Sequence, residues 1–244
     1  MVGYRRYTDF GGNIANFKLI DADTNAVIDT LKFHSFTSVV LAFDGYTQSV
    51  RDVNGDGRIS DPEPGDPGNF EGILDVAQDL YETGWNVFPY DYWDVDEDQV
   101  GKRLGPLKQV KNSVDGNAAT GVAVFGYSLG GGATYDLVSK LNKAGYNVNF
   151  TGYVDAIHYN SGMLNEPSLG RAVDDYPPGA DFLLNQFETN SLWVDGTDVE
   201  ATGDGQVVNI DTTNWTPTLY HTTIDDDSTV QQNIKTYLDG KIDR

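Results

Sequence analysis

GVAVFGYSLGGGATYDLVSKL, Gly121 to Leu141, changes character twice along its length. Val122 to Phe125 is a short apolar run of β-branched and aromatic residues, the signature of a buried strand. Gly126-Tyr127-Ser128-Leu129-Gly130 follows without a spacer. Beyond it, Ala133, Leu137, Val138 and Leu141 recur at helical spacing. Strand, tight turn and helix together give G-x-S-x-G a mechanism: the turn holds Ser128 in a strained conformation with its hydroxyl exposed. A Cβ on either flanking glycine would collide with the neighbouring strand or helix. The start of the helix points free N–H groups and the positive end of its dipole at the place where an oxyanion would form.

The chain around this stretch reads as alternating strands and helices. Thr37 to Phe43, TSVVLAF, is near-continuously apolar, as a parallel strand covered on both faces must be. Asn86 to Tyr90, Asn149 to Val154, Phe182 to Glu188, Ser191 to Val194 and Gln206 to Ile210 read as further strands, and Thr218 to His221 as the end of the last one. Phe70, Ile73, Leu74, Ala77, Leu80 and Tyr81 mark a helix face, capped by Asn69 and stopped at Gly84. Val100 to Val114 predicts a helix kinked at Pro106. A final helix carries Val230, Ile234, Tyr237 and Leu238, with Asp225 to Ser228 as its cap and Gly240 as its stop. This order predicts an α/β fold with a right-handed parallel sheet. Ahead of it, Ile14 to Ile20 and Ala26 to Leu31 flank the Asp/Asn-rich turn at 21–25 and predict an antiparallel hairpin. The length, 244 residues without an internal repeat, fits one domain spanning 1–244.

On the elbow Gly126 to Gly130, the chain resembles the α/β-hydrolase superfamily, specifically its lipase and esterase branch, over most of 35–244. The resemblance implies a mostly parallel sheet flanked by helices, the hairpin at its edge, and a Ser–acid–His triad. A serine hydroxyl needs an adjacent base, and the base needs a carboxylate to fix its tautomer. The chain has three histidines. His221 stands in the order Ser…acid…His, between the last strand and the last helix; His158 is the alternative, and His34 reads as structural. Two acids compete. Asp155 ends a short apolar strand, on the edge where open α/β sheets place their sites. Asp198 resembles the G-x-x-D acid loop of esterases, but Gly, Thr and acidic neighbours surround it. Asp155 is the favoured reading. For the oxyanion, the loop after the first parallel strand often reads His-Gly-X in this superfamily. Asp44-Gly45-Tyr46 stands there, so the backbone N–H groups of Tyr46 and Leu129 are the candidate donors. Trp93, in the acidic loop 91–99, and the irregular segment 159–180 are candidates for the site mouth.

Asp52 to Glu63, DVNGDGRISDPE, carries a second pattern. Asp52, Asn54, Asp56, Ser60 and Glu63 fall at loop positions 1, 3, 5, 9 and 12, with Gly57 at 6, Ile59 at 8 and the Arg58 carbonyl at 7. The loop resembles those of EF-hand and dockerin proteins, which implies calcium. A strand-like segment precedes it and Pro62 sits at position 11, so a structural calcium loop inserted in the domain is expected rather than a helix pair.

Composition narrows the partners. With 16 basic against 37 acidic residues, a formal net charge of −21, the surface repels nucleic acid and anionic membranes. No apolar run reaches the length of a membrane span. The absence of cysteine excludes disulfides, thiolate metal sites and a cysteine nucleophile. MVGYRRYTDF lacks the apolar core of a signal peptide. A secreted or extracellular location is expected, as a mature form or an excised domain; a cytoplasmic one stays open. The expectation is a serine carboxylic ester hydrolase with a structural calcium, acting on a small-molecule or lipid ester. A non-catalytic calcium-stabilised binding or adhesion module, and a peptidase or thioesterase on the same scaffold, are the alternatives.

Overall fold

The computed structural model describes residues 13–20, 26–45, 72–101, 103–117, 119–158, 171–172, 176–191 and 196–243. In chain order the elements are β1 (Asn13–Ile20), β2 (Val27–Ser35), β3 (Ser38–Phe43), α1 (Ile73–Glu82), β4 (Val87–Tyr90), β5 (Gln99–Val100), β6 (Arg103–Leu104), α2 (Pro106–Lys111), β7 (Gly121–Tyr127), α3 (Leu129–Lys143), β8 (Phe150–Val154), β9 (Ile157–His158), β10 (Arg171–Ala172), β11 (Phe182–Phe187), β12 (Gln206–Asp211) and α4 (Ser228–Asp239). Six of the strands form one sheet in the order β12-β11-β8-β7-β3-β4, and every pair in it is parallel. The predicted parallel α/β sheet flanked by helices is therefore observed.

The central strands β3 and β7 are fully buried, and between Val39 and Phe43 and between Val122 and Phe125 they are wholly apolar because both faces are covered. Along β3, Val40 and Ala42 join one core while Val39, Leu41 and Phe43 join the other. Along β7 the same alternation sends Ala123, Phe125 and Tyr127 one way and Val122 and Val124 the other. α1 and α4 cover the first face, through Ile73, Val76, Leu80, Val230, Ile234 and Leu238. α3 and α2 cover the second, through Leu137, Val138, Leu141 and Val110. Each fully buried Leu, Ile or Val contributes about 1.5–3 kcal/mol of transfer free energy. A polar residue within β3 or β7 would forfeit that gain unless it found partners, as Asn185 and Gln186 do in β11.

The carboxyl ends of the strands line up. In register, Phe43 lies beside Tyr90 and Gly126, Tyr127 beside Val154, and Val154 beside Gln186. The residues that follow are Asp44, Asp91, Ser128, Asp155 and, one step beyond Phe187, Glu188. They make up one polar margin along the carboxyl edge.

Four predicted elements differ. β1 and β2 pair antiparallel as predicted, but among the described residues they form their own two-stranded sheet and do not join the edge of the main one. The segment 100–114 is not one kinked helix. β5 and β6 form a small hairpin, and α2 opens with Pro106 at its first position. Proline lacks the N–H that the helix interior needs, so here it starts a helix instead of bending one. Residues 218–221 are not a strand; they lie in the connection from β12 to α4. Ser191 is outside any strand, and the rest of the predicted strand 191–194 lies outside the described residues. α4 is capped as predicted: Asp227 accepts from the N–H groups of Thr229 and Val230.

Candidate active site

The elbow joins β7, the third strand from one edge of the sheet, to α3. Ser128 has φ 53° and ψ −123°, a region that residues with a Cβ rarely occupy. Asp155, at φ 44°, is the other non-glycine residue with positive φ among the described residues. Such conformations cost about 1–3 kcal/mol each and persist only where the surroundings enforce them. At Ser128 they do: its N–H donates to the Val154 carbonyl at 3.0 Å, and its carbonyl accepts from Gly131 and Ile157. The glycines are explained by close approach. A Cβ at Gly126 would strike the Gly130 carbonyl, and one at Gly130 would strike the carbonyls of Phe43 and Asp44.

Three side chains from three different connections meet here. Ser128 Oγ lies 2.8 Å from His221 Nε2, and His221 Nδ1 lies 2.6 Å from Asp155 Oδ2. Asp155 is fully buried and the His221 side chain is 17% exposed. Burial pushes the Asp155 carboxyl up, the His221 ring pulls it down, and the charge of Glu188 pushes it up again. His221 is also held by its backbone: its N–H donates to Ser191 Oγ at 2.7 Å, and its carbonyl accepts from the Tyr127 hydroxyl. Burial, and then the charge of Asp225, raises the Tyr127 phenol well above its ordinary value, so it remains a donor.

The rival candidates stand elsewhere. His158 Nε2 lies 3.1 Å from Asp136 Oδ1 on α3, and its ring packs at a tilt against Tyr135. Asp198 is exposed on the segment leading to β12. Leu129 begins α3, and the first N–H groups of a helix have no acceptor within it. Gly45 passes so close to the elbow that a Cβ there would come within 3.3 Å of the Ser128 Cβ. Tyr46, the other predicted donor, lies outside the described residues, as do the calcium-loop residues Asp52, Asn54, Asp56, Arg58, Ser60 and Glu63. Tyr92, in the turn after β4, packs on Leu129 and Ile157, and the exposed Trp93 ring lies tilted against it, ring centres 3.7 Å apart. Most of the segment 159–180 is likewise outside the described residues.

Sequence reasoning missed the parts that surround the three residues. Asp44 is completely buried, and burial together with the neighbouring Asp91 charge pushes its carboxyl up to about 9. Glu188, also completely buried, donates its N–H to Asp155 Oδ1 at 3.3 Å. Glu188 had a sequence signal, an acid closing an apolar strand, the same signal that singled out Asp155.

Among the described residues, no helix is long and apolar enough to cross a membrane. The chain matches no protein-family model and no curated protein. Solved structures of similar layout include human thioesterase 2, at 12% identity over 83% of this chain and 94% of that one, with a TM-score of 0.42. RedJ, a thioesterase of prodiginine biosynthesis from Streptomyces coelicolor, is 10% identical over 83% of this chain and 85% of its own, with a TM-score of 0.43. A structure of the metagenome-derived lipolytic enzymes LipS and LipT is 9% identical over 84% and 95%, with a TM-score of 0.44.

Proposed function

We propose that the chain is a serine hydrolase that cleaves carboxylic esters through an acyl-enzyme. The observation that supports this reading is the hydrogen-bonded line from Ser128 through His221 to Asp155, built on a serine held at positive φ. His221 Nε2 takes the Ser128 proton as Oγ attacks the ester carbonyl. Asp155 holds the ring so that Nε2 faces the serine, and its charge stabilises the imidazolium. The N–H groups of Leu129 and Tyr46 are the proposed partners of the tetrahedral oxyanion. The imidazolium returns the proton to the leaving alcohol. Water then attacks the acyl-enzyme with His221 as base, and the acid is released. The substrate is a small-molecule or lipid ester.

The test is turnover of p-nitrophenyl esters of increasing chain length, beside peptide and thioester substrates. Ester turnover that disappears in a folded Ser128→Ala variant is the expected result. Turnover confined to thioesters or peptides would move the activity to those classes. Retention of activity in Ser128→Ala, in a preparation free of contaminating esterase, would remove Ser128 as nucleophile. A structural calcium in the loop 52–63 is a separate proposal carried by the residue pattern alone; no step of the reaction passes through it.

A further inference from the structure

Resting on the Ser128–His221–Asp155 reading, we propose that Glu188 is a positioning residue: its carboxyl folds the turn 188–191 into a brace that holds Asp155 and His221 at once. The carboxyl doubles back on its own chain. Oε2 accepts from the N–H of Asn190 and, at 2.9 Å, from that of Ser191. Folding the turn this way does three things. The Glu188 N–H is aimed at Asp155 Oδ1, at 3.3 Å. Ser191 Oγ is aimed at the His221 N–H, at 2.7 Å. The Asn190 amide donates to the carbonyls of Thr213 and Leu219, at 2.9 and 3.0 Å, and so pins the connection that brings His221 to the site.

This connection needs a brace. His221 lies in a turn between β12 and α4, outside every helix and strand among the described residues, so regular structure does not fix its backbone. The Tyr127 hydroxyl holds the His221 carbonyl from the elbow side; the turn 188–191 holds its N–H from the other. A fully buried carboxyl is expensive to keep unless it satisfies donors that would otherwise be orphaned. Glu188 satisfies two. Glu188→Ala therefore releases the turn, while Glu188→Gln keeps an oxygen that can accept both N–H groups. Ser191→Ala removes only the hydroxyl that holds His221.

Three variants and two readouts test this. The first readout is ester turnover, separated into kcat and KM. The second is the far-downfield proton resonance of His221 Nδ1–H in its bond to Asp155, recorded also in a Ser128→Ala background that needs no turnover. Glu188→Ala and Ser191→Ala should each lower kcat by about tenfold to a hundredfold, the scale of a misplacement near 1 Å, with KM within about twofold. Both should shift or broaden the resonance, and Glu188→Gln should recover most of kcat. Should Glu188→Ala fail to fold, Ser191→Ala carries the test alone. A folded Ser191→Ala variant with kcat within about twofold of wild type and an unmoved resonance overturns the brace. Absence of ester turnover in the wild type would instead overturn the proposed function; the resonance would still report on the brace.

Discussion

Replacing Asp44 by Asn should stabilise the protein, and by more as the pH rises. Asp44 follows β3, is completely buried, and faces the charge of Asp91; burial is the larger cause of its rise from 3.8 to about 9. The folded chain therefore keeps a proton that the unfolded chain has released at any pH between those two values. In that window the native state binds more protons than the unfolded state, so stability falls with rising pH. The contribution is intact below about 4 and is lost progressively up to about 9. At about 1.4 kcal/mol per pH unit, holding the proton at pH 7 costs about 4 kcal/mol. Asparagine has nearly the same shape and needs no proton. Its amide donors must find partners in the same buried place, which returns about 1–3 kcal/mol of that gain. Urea unfolding of wild type and Asp44→Asn at pH 5, 6, 7 and 8 isolates the effect, because every other carboxylate is common to both. The stability difference should move toward the variant by about 1 kcal/mol or more per pH unit. Parallel curves across this range would refute a neutral buried Asp44.

Other outcomes follow from the site and the loop. Asp155→Asn should lower kcat by about 10³ to 10⁴, the magnitude seen when the corresponding change mis-sets the histidine tautomer in a serine protease, whereas Asp198→Asn should change kcat little. Gly130→Ala should destabilise by several kcal/mol, since its Cβ would meet two carbonyls, Phe43 and Asp44, that end a central strand; a melting temperature near that of wild type would contradict this packing. Excess chelator should lower the melting temperature if the loop 52–63 binds calcium. A hundredfold excess of calcium over Kd adds about 2.7 kcal/mol, and Asp52→Ala with Asp56→Ala should abolish the response.

The parts legible in the sequence are those whose physics is local. Val39 to Phe43 and Val122 to Phe125 announce themselves because both faces of a central parallel strand must be apolar. Gly126 and Gly130 are legible because the turn around Ser128 leaves no space for a Cβ. Asp155 could be placed at the carboxyl edge by its position just beyond an apolar strand. Pro106 misleads because the same residue starts one helix and breaks another, and only the pairing of Gln99–Val100 with Arg103–Leu104 just before it decides which. Thr218 to Tyr220 include β-forming side chains, yet pair with no strand among the described residues, so their composition points to a strand that is not observed there. Of the brace, only the acid closing β11 is legible. The groups it joins, the N–H of Glu188 and of His221 and the carbonyls of Thr213 and Leu219, are backbone groups that leave no trace in residue identity.

Covalent labelling reads the reactivity of Ser128 itself. A fluorophosphonate reacts with a serine only where a base activates the hydroxyl and donors receive the developing oxyanion. Intact-mass and peptide mapping of the wild-type protein should show one adduct per chain, on Ser128. The adduct should disappear in Ser128→Ala and form far more slowly in His221→Ala. A folded wild-type protein that takes no label, or takes it on a serine other than Ser128, would contradict Ser128 as the activated nucleophile.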